Sequence, residues 1–204
     1  MEEALRQIDE WPAAFAAAGV VRGGELVATH GARDEVLRWA SVTKLVTALA
    51  ALVAAEEGVI DLDEAAGPAG STVRHLLAHA SGLPFEPGAP TGRPGQRRVY
   101  SNVGFETLAD HIAARADMPF ADYLAAGVLQ PLGLQAELRD DKSPHWTGSR
   151  NSPRTFGHFG GSGTFLWVDP EAGIALAVLT NLDFGEWSKE AWPRLSDAVL
   201  GESA

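Results

Sequence analysis

Apolar positions along this chain change spacing twice, and the changes divide it into three stretches. Residues 4–18 carry apolar side chains at helical spacing, and Pro12 is expected to break or restart the helix they predict. Val20-Val21 and Leu26-Val27-Ala28 read as two short strands around Arg22-Gly23-Gly24-Glu25, a two-glycine hairpin turn. Ser41 to Glu57 predicts a long helix ended by Gly58, a residue suited to the left-handed C-terminal position. Apolar residues run nearly all round that helix, which predicts burial in the centre of the domain. Ser71-Thr72 caps a short helix through His79 that closes at Ser81-Gly82, and the Pro/Gly-rich run Pro84 to Gly95 predicts an irregular loop. Helical spacing resumes over 102–116 and 119–129. Strand-like runs follow at Gly163 to Val168 and Gly173 to Thr180, joined by the turn Asp169-Pro170-Glu171-Ala172, and Trp187 to Leu200 predicts a closing helix. Strands at both ends with helices between them predict an α+β domain, its sheet assembled from both termini around an inserted helical part.

Composition narrows the function classes. The 204 residues, 46% hydrophobic and 21% charged, suit one domain with a sizeable core. Lys and Arg number 16 against 27 Asp and Glu, a formal charge of −11, so a nucleic-acid or anionic-membrane partner is not expected. With no cysteine, disulfides, thiolate catalysis and Cys-based metal sites are excluded. Leu45 to Ala55, the longest helical apolar run, is too short to span a bilayer. Met1 to Arg6 lacks the basic and apolar regions of a secretory signal, which points to a cytoplasmic chain.

Three short segments could carry chemistry. Ser41-Val42-Thr43-Lys44 places a hydroxyl and an amine three apart at the start of a helix, on one face, where a lysine can take a serine's proton. The plainer alternative makes Ser41 a helix cap and sends Lys44 to solvent, but the helix carries no other charge before Glu56. Tyr100-Ser101-Asn102 opens another helix after the Pro/Gly loop; a phenol can shuttle a proton and an amide can bind a substrate or the lysine. Here the plain alternative is Asn102 as the helix cap and Tyr100 as a packed aromatic. Gly157-His158-Phe159-Gly160-Gly161 precedes a strand, and glycines there let backbone N–H groups approach a ligand, as an oxyanion hole requires.

In that order, S-x-x-K, Y-x-N and H-x-G resemble the serine β-lactamase/penicillin-binding-protein superfamily, within it the class C β-lactamase-related branch of esterases and D,D-peptidases. Leu76-Leu77-Ala78-His79-Ala80-Ser81-Gly82-Leu83, Pro94-Gly95 and Leu129-Gln130-Pro131-Leu132-Gly133-Leu134 support the resemblance. It implies a β-lactamase/transpeptidase-like fold with an antiparallel sheet, in one domain spanning 1–204: a sheet part over 1–40 and 157–204, and a mostly helical part over 41–156. It implies Ser41 as acylated nucleophile, Lys44 as its proton acceptor and Tyr100 as the proton shuttle to the leaving group and for the deacylating water. Asn102 would orient substrate and Lys44. The backbone N–H groups of Ser41 and Gly161 would form the oxyanion hole, with His158 and Gly160 beside the substrate. No cofactor or metal is implied.

Two departures bear on substrate. His158 and Phe159 stand where β-lactamases carry the lysine and hydroxyl of K-T-G, which removes a carboxylate-binding pair and tilts the expectation towards small carboxylic esters. β-Lactam or D,D-peptidase-type amide hydrolysis is the alternative. The helical part is also abbreviated, since only Gln135 to Gly157 connects the P-L-G segment to the H-x-G strand. Exposed apolar surface is therefore expected, and a catalytically impaired scaffold or binding module is the reading from another class. His75 and His79 stand at i, i+4, but without the intervening Glu of a metalloprotease, so structural hydrogen bonds are expected of them. Ser162 reads as a structural residue at a strand edge, and Trp146, Trp167, Trp187 and Trp192 as packing residues.

Overall fold

The computed structural model describes residues 1–32, 34–134 and 148–202. The chain forms two compact units, one of Met1–Thr43 with Asp140–Ala204 and one of Lys44–Arg139. The segment 135–147, with Trp146, lies outside the described residues.

The first unit holds a five-stranded antiparallel sheet in the order β2-β1-β5-β4-β3. Its strands are β1 (Ala16–Arg22), β2 (Glu25–Gly31), β3 (Phe156–Gly160), β4 (Thr164–Asp169) and β5 (Ile174–Thr180). β1 and β5 pair along their whole lengths, from Ala16 opposite Thr180 to Arg22 opposite Ile174. Both termini therefore contribute to one sheet, as expected. The β1–β2 hairpin turns at Gly23 and Gly24, whose φ values of 57° and 88° lie where side-chain-bearing residues are disfavoured.

Two short expectations change. The helix predicted over 4–18 is confined to α1 (Glu2–Leu5) and a 3₁₀ turn, Arg6–Glu10. Ala16-Ala17-Ala18 has high helix propensity, but between β2 and β5 it gains ladder hydrogen bonds on both sides, which outweigh that local preference. The Gly157–Gly160 segment is not a lead-in to a strand; it is edge strand β3, paired with β4 from Phe156 opposite Val168 to Gly160 opposite Thr164.

One face of this sheet carries the core. β5 alternates strictly, burying Ile174, Leu176, Val178 and Thr180. Against them pack Leu5 of α1 and Trp192, Leu195 and Val199 of α6 (Glu186–Gly201), joined by Phe165 and Trp167 of β4. Trp167, Trp187 and Trp192 thus serve packing, Trp187 edge-on to Trp192 at 6.0 Å. Each fully buried side chain of this size contributes roughly 1.5–3 kcal/mol.

The second unit contains α2 (Thr43–Glu56), which begins in the first, α3 (Val73–Leu77), α4 (Asn102–Ala116) and α5 (Phe120–Leu124), the last running into a π-turn, Ala125–Leu129. Gly58 follows α2 at φ 73°, as its position predicted. α2 is not buried all round. It buries Lys44, Thr47, Ala50, Ala51 and Ala54, while Leu49 and Leu52 are 39% and 50% exposed. Small residues on the buried face permit close packing, and the leucines lie on the other side. Leu132 and Leu134 are likewise exposed, at 57% and 39%. α3 ends two residues short of His79, which adopts φ 56°. Among the described residues no helix is long and apolar enough to cross a membrane.

A buried carboxylate ties the last strands together. Asp169 Oδ1 accepts the N–H groups of Glu171 and Ala172, closing the β4–β5 turn, and Oδ2 accepts the Ser152 N–H at 2.6 Å and the Thr155 hydroxyl at 2.9 Å. Burial pushes the Asp169 carboxyl upward, but the donors from Ser152, Ala172 and Thr155 together outweigh it and hold it well below the usual carboxylate range. A depressed folded-state value adds stability above the unfolded value, lost as pH falls through the folded one. Asp169→Asn is therefore expected to destabilise the protein near neutrality. The deficit should shrink as pH falls below about 4; urea unfolding of both proteins at pH 7, 4 and 3 checks this, and a pH-independent deficit would contradict it.

Candidate active site

Each unit gathers part of the expected chemistry. In the first, the 3₁₀ turn Ala40–Val42 leads directly into α2 and carries Ser41, only 1% exposed. The Val42 N–H donates to the Trp39 carbonyl at 3.0 Å and closes the turn. Ala40, immediately before Ser41, has φ 44°, a left-handed conformation that L-residues with a side chain rarely adopt. Gly160 lies flush against the same turn. A Cβ there would stand 2.4 Å from the Trp39 carbonyl oxygen, 2.6 Å from the Ala40 Cβ and 3.2 Å from the Ser41 nitrogen. Only glycine lets the end of β3 approach the serine turn so closely, a requirement of main-chain contact that spacing alone does not reveal.

Pleating separates the neighbours of Gly160. Phe159 points into the core against Phe184 and Trp192, whereas His158 is half-buried on the other face. The His158 Nδ1 accepts the Phe159 N–H at 2.9 Å, which fixes the ring against its own strand. Gly161 follows in the turn, its carbonyl accepting the Phe184 N–H at 2.8 Å.

In the second unit, Lys44 lies on the first turn of α2 and is 9% exposed, so it does not reach to solvent. Its Nζ donates to Asn102 Oδ1 at 2.6 Å and lies 4.9 Å from the Tyr100 ring centroid and 5.9 Å from that of Phe105. An amine can only donate, so this bond sets the orientation of the Asn102 amide and turns its NH₂ group away. Asn102 Nδ2 is buried, with no hydrogen-bond partner among the described residues. The helix cap is not Asn102 but Ser101, whose Oγ accepts the Gly104 N–H at 2.8 Å and donates to the Pro84 carbonyl. Asn102, freed from capping, is the first residue of α4, with its backbone N–H on the Phe85 carbonyl.

His79 builds the support beneath this group, a role that spacing did not disclose. Its Nδ1 accepts the Ser101 N–H at 3.1 Å and its carbonyl accepts the Val99 N–H at 2.8 Å. Its ring packs on Tyr100 and Phe105, with centroids 4.5 and 4.9 Å away. The left-handed backbone at 79 turns the ring inward after α3 ends. His75 instead completes the capping box of α3 with Thr72, accepting the Thr72 N–H on Nδ1. The two histidines thus take structural hydrogen bonds, as expected. Among the described residues no group of three or more His, Cys, Asp or Glu is arranged to hold a metal.

A family model described as beta-lactamase matches residues 12–144 and 136–200. The chain belongs to the β-lactamase family. It is similar to a solved β-lactamase from Mycobacterium bovis, at 40% identity over 98% of this chain and 99% of that one, with a TM-score of 0.90. The D-alanyl-D-alanine-carboxypeptidase/endopeptidase AmpH of Escherichia coli (strain K12) is 27% identical over 169 residues, 65% of this chain and 43% of that protein. The chain thus spans less than half the length of the curated relatives it matches. The simvastatin synthase of Aspergillus terreus shares the fold at 16% identity, covering 98% of this chain and 96% of that one, with a TM-score of 0.76.

Among the described residues, the five-stranded antiparallel sheet and six α-helices form the β-lactamase/transpeptidase fold of that family. The Lys44–Asn102 bond has a measurable consequence. Asn102→Leu removes the acceptor while keeping the side-chain volume, and is expected to lower stability by about 1–3 kcal/mol, the cost of removing one partner of a buried, charge-assisted hydrogen bond. Urea unfolding checks this; a stability equal to wild type would show that Lys44 does not depend on Asn102.

Proposed function

We propose that this β-lactamase-family protein is a serine hydrolase that forms an acyl-enzyme at Ser41 and acts on small carboxylic esters. The observation that carries the reading is the Lys44 amine, held in a buried aromatic and amide setting one helical turn after Ser41. A buried lysine on a helix with no other charge before Glu56 needs a use, and a serine hydroxyl three residues earlier in the chain supplies one.

In this mechanism Ser41 Oγ attacks the ester carbonyl carbon as its proton passes to Lys44 Nζ. The tetrahedral oxyanion is stabilised by the backbone N–H groups of Ser41 and Gly161. Collapse breaks the bond to the alkoxy oxygen, which leaves as the alcohol after taking a proton relayed through Tyr100. Water then attacks the acyl carbon, giving its proton back through Tyr100 and Lys44, and the carboxylic acid departs with Ser41 restored. The Asn102 NH₂ group, oriented by the Lys44 bond, is suited to a substrate carbonyl, and His158 and Gly160 lie along the strand that the substrate would follow.

Esters are favoured over peptides and β-lactams by the H-x-G strand. Phe159 directs its ring into the core, so β3 offers neither the lysine nor the hydroxyl with which K-T-G binds a carboxylate. The AmpH likeness keeps D-alanyl amide hydrolysis as the second reading. A scaffold without turnover is the outcome to exclude.

Incubation with a fluorophosphonate followed by intact-mass analysis and peptide mapping is expected to place one adduct on Ser41, with turnover of p-nitrophenyl butyrate. Ser41→Ala should abolish both. Lys44→Ala should lower kcat/KM by at least about a hundredfold, as loss of a general base does. Full activity in Lys44→Ala would reject the proposed base. A folded protein without a Ser41 adduct would leave the scaffold reading standing.

A further inference from the structure

Two hydroxyls outside the family's three motifs converge on one carbonyl beside the serine turn. Ser162 Oγ donates to the Arg38 carbonyl oxygen at 2.6 Å and Thr164 Oγ1 donates to the same oxygen at 2.7 Å. Both side chains are buried, and together they occupy both lone pairs of that carbonyl. Arg38 is three residues before Ser41 and two before Ala40. We propose that Ser162 and Thr164 are positioning residues that anchor the strained Trp39–Ser41 turn and thereby hold the Ser41 hydroxyl in its reacting place.

Strain makes an anchor necessary. The left-handed Ala40 would relax to an ordinary conformation unless its surroundings over-determine it. On one side the turn is constrained by Gly160, whose backbone fits against Trp39, Ala40 and Ser41 without room for a Cβ. On its N-terminal side these two hydroxyls hold the Arg38 carbonyl at the turn's approach. The hydroxyls are themselves fixed. Thr164 pairs with Gly160 at the β3–β4 corner, and Thr180 Oγ1 faces the carbonyls of Ser162, Gly163 and Leu182 at 3.0–3.3 Å. Gly163 between them has φ 71° and no space for a side chain, as a Cβ would stand 1.9 Å from the Leu182 carbonyl oxygen. The rigid sheet corner thus transmits its position through two hydrogen bonds to the serine turn.

The proposal rests on the reading of Ser41 as nucleophile, and the experiment separates the two. Ser162→Ala, Thr164→Val and the double variant are compared with the hydroxyl-retaining Ser162→Thr and Thr164→Ser. The readouts are kcat and KM for p-nitrophenyl butyrate, the rate of fluorophosphonate labelling, amide exchange over residues 39–43 and the urea midpoint. The double variant is expected to lose roughly a hundredfold in kcat and labelling rate, the scale of a displacement of about 1 Å, with KM nearly unchanged. Exchange over 39–43 should accelerate, and the hydroxyl-retaining variants should stay near wild type. Should the double variant not fold, Thr164→Val alone carries the test, with a loss of about tenfold. Wild-type kcat and unchanged exchange in the variants would overturn the anchor, as would losses that the hydroxyl-retaining variants share. A wild type without Ser41-dependent turnover would reject the nucleophile reading, while the exchange over 39–43 would still decide the anchor.

Discussion

The pairing of β1 with β5 is the constraint on which the rest of the sheet-bearing unit depends. Seven residue pairs, from Ala16–Thr180 to Arg22–Ile174, join segments separated by more than 150 positions. Closing so long a loop costs entropy, which the ladder and the apolar face beneath it must offset. Val20, Leu176 and Val178 meet α1 and α6 on that face, so the two chain ends are committed to one core. Everything between must leave the sheet and return to it, which is why the helical part is an insertion and why β3 and β4 complete the sheet from the far side.

A second constraint acts on polar groups. Buried polar atoms are costly unless satisfied; Lys44, Ser101, Ser162 and Thr164 meet that demand with short, specific bonds, while Asn102 Nδ2 has no hydrogen-bond partner among the described residues. Lys44 rests on Asn102 and two aromatic rings; the Tyr100-Ser101-Asn102 segment rests on His79; the approach to Ser41 rests on Ser162 and Thr164. In each case the supporting group comes from a distant part of the chain. Rigid support of this kind is what keeps a reacting hydroxyl or amine within the narrow geometry that acyl transfer needs.

Local signals marked the elements well where one structure satisfied them. The two-glycine hairpin, the C-terminal Gly58, the Asp169 turn and the helices over 102–116 and 119–129 follow from turn chemistry and periodicity, and the structure has each of them. The three chemical segments were equally visible, because hydroxyl, amine, phenol and amide at those spacings are recognisable without coordinates. Their resemblance to the β-lactamase/penicillin-binding-protein superfamily led directly to the antiparallel α+β fold.

The sequence by itself determined the order of the elements, the character of the core and which segments could bear chemistry, since these depend on neighbours within a few residues. Only the tertiary structure decided that Ala16-Ala17-Ala18 is strand, because the competing ladder bonds come from β2 and from a strand more than 150 residues away. It alone showed that α2 exposes Leu49 and Leu52, since burial depends on what covers a face and not on the face's own composition. It alone gave the cap to Ser101 rather than to Asn102, two adjacent residues either of which could cap a helix. The same holds for His79 on the Ser101 N–H and for the two hydroxyls on the Arg38 carbonyl. Their partners are backbone groups 22 to 126 residues away, and a backbone group leaves no mark in the side-chain pattern that a sequence displays.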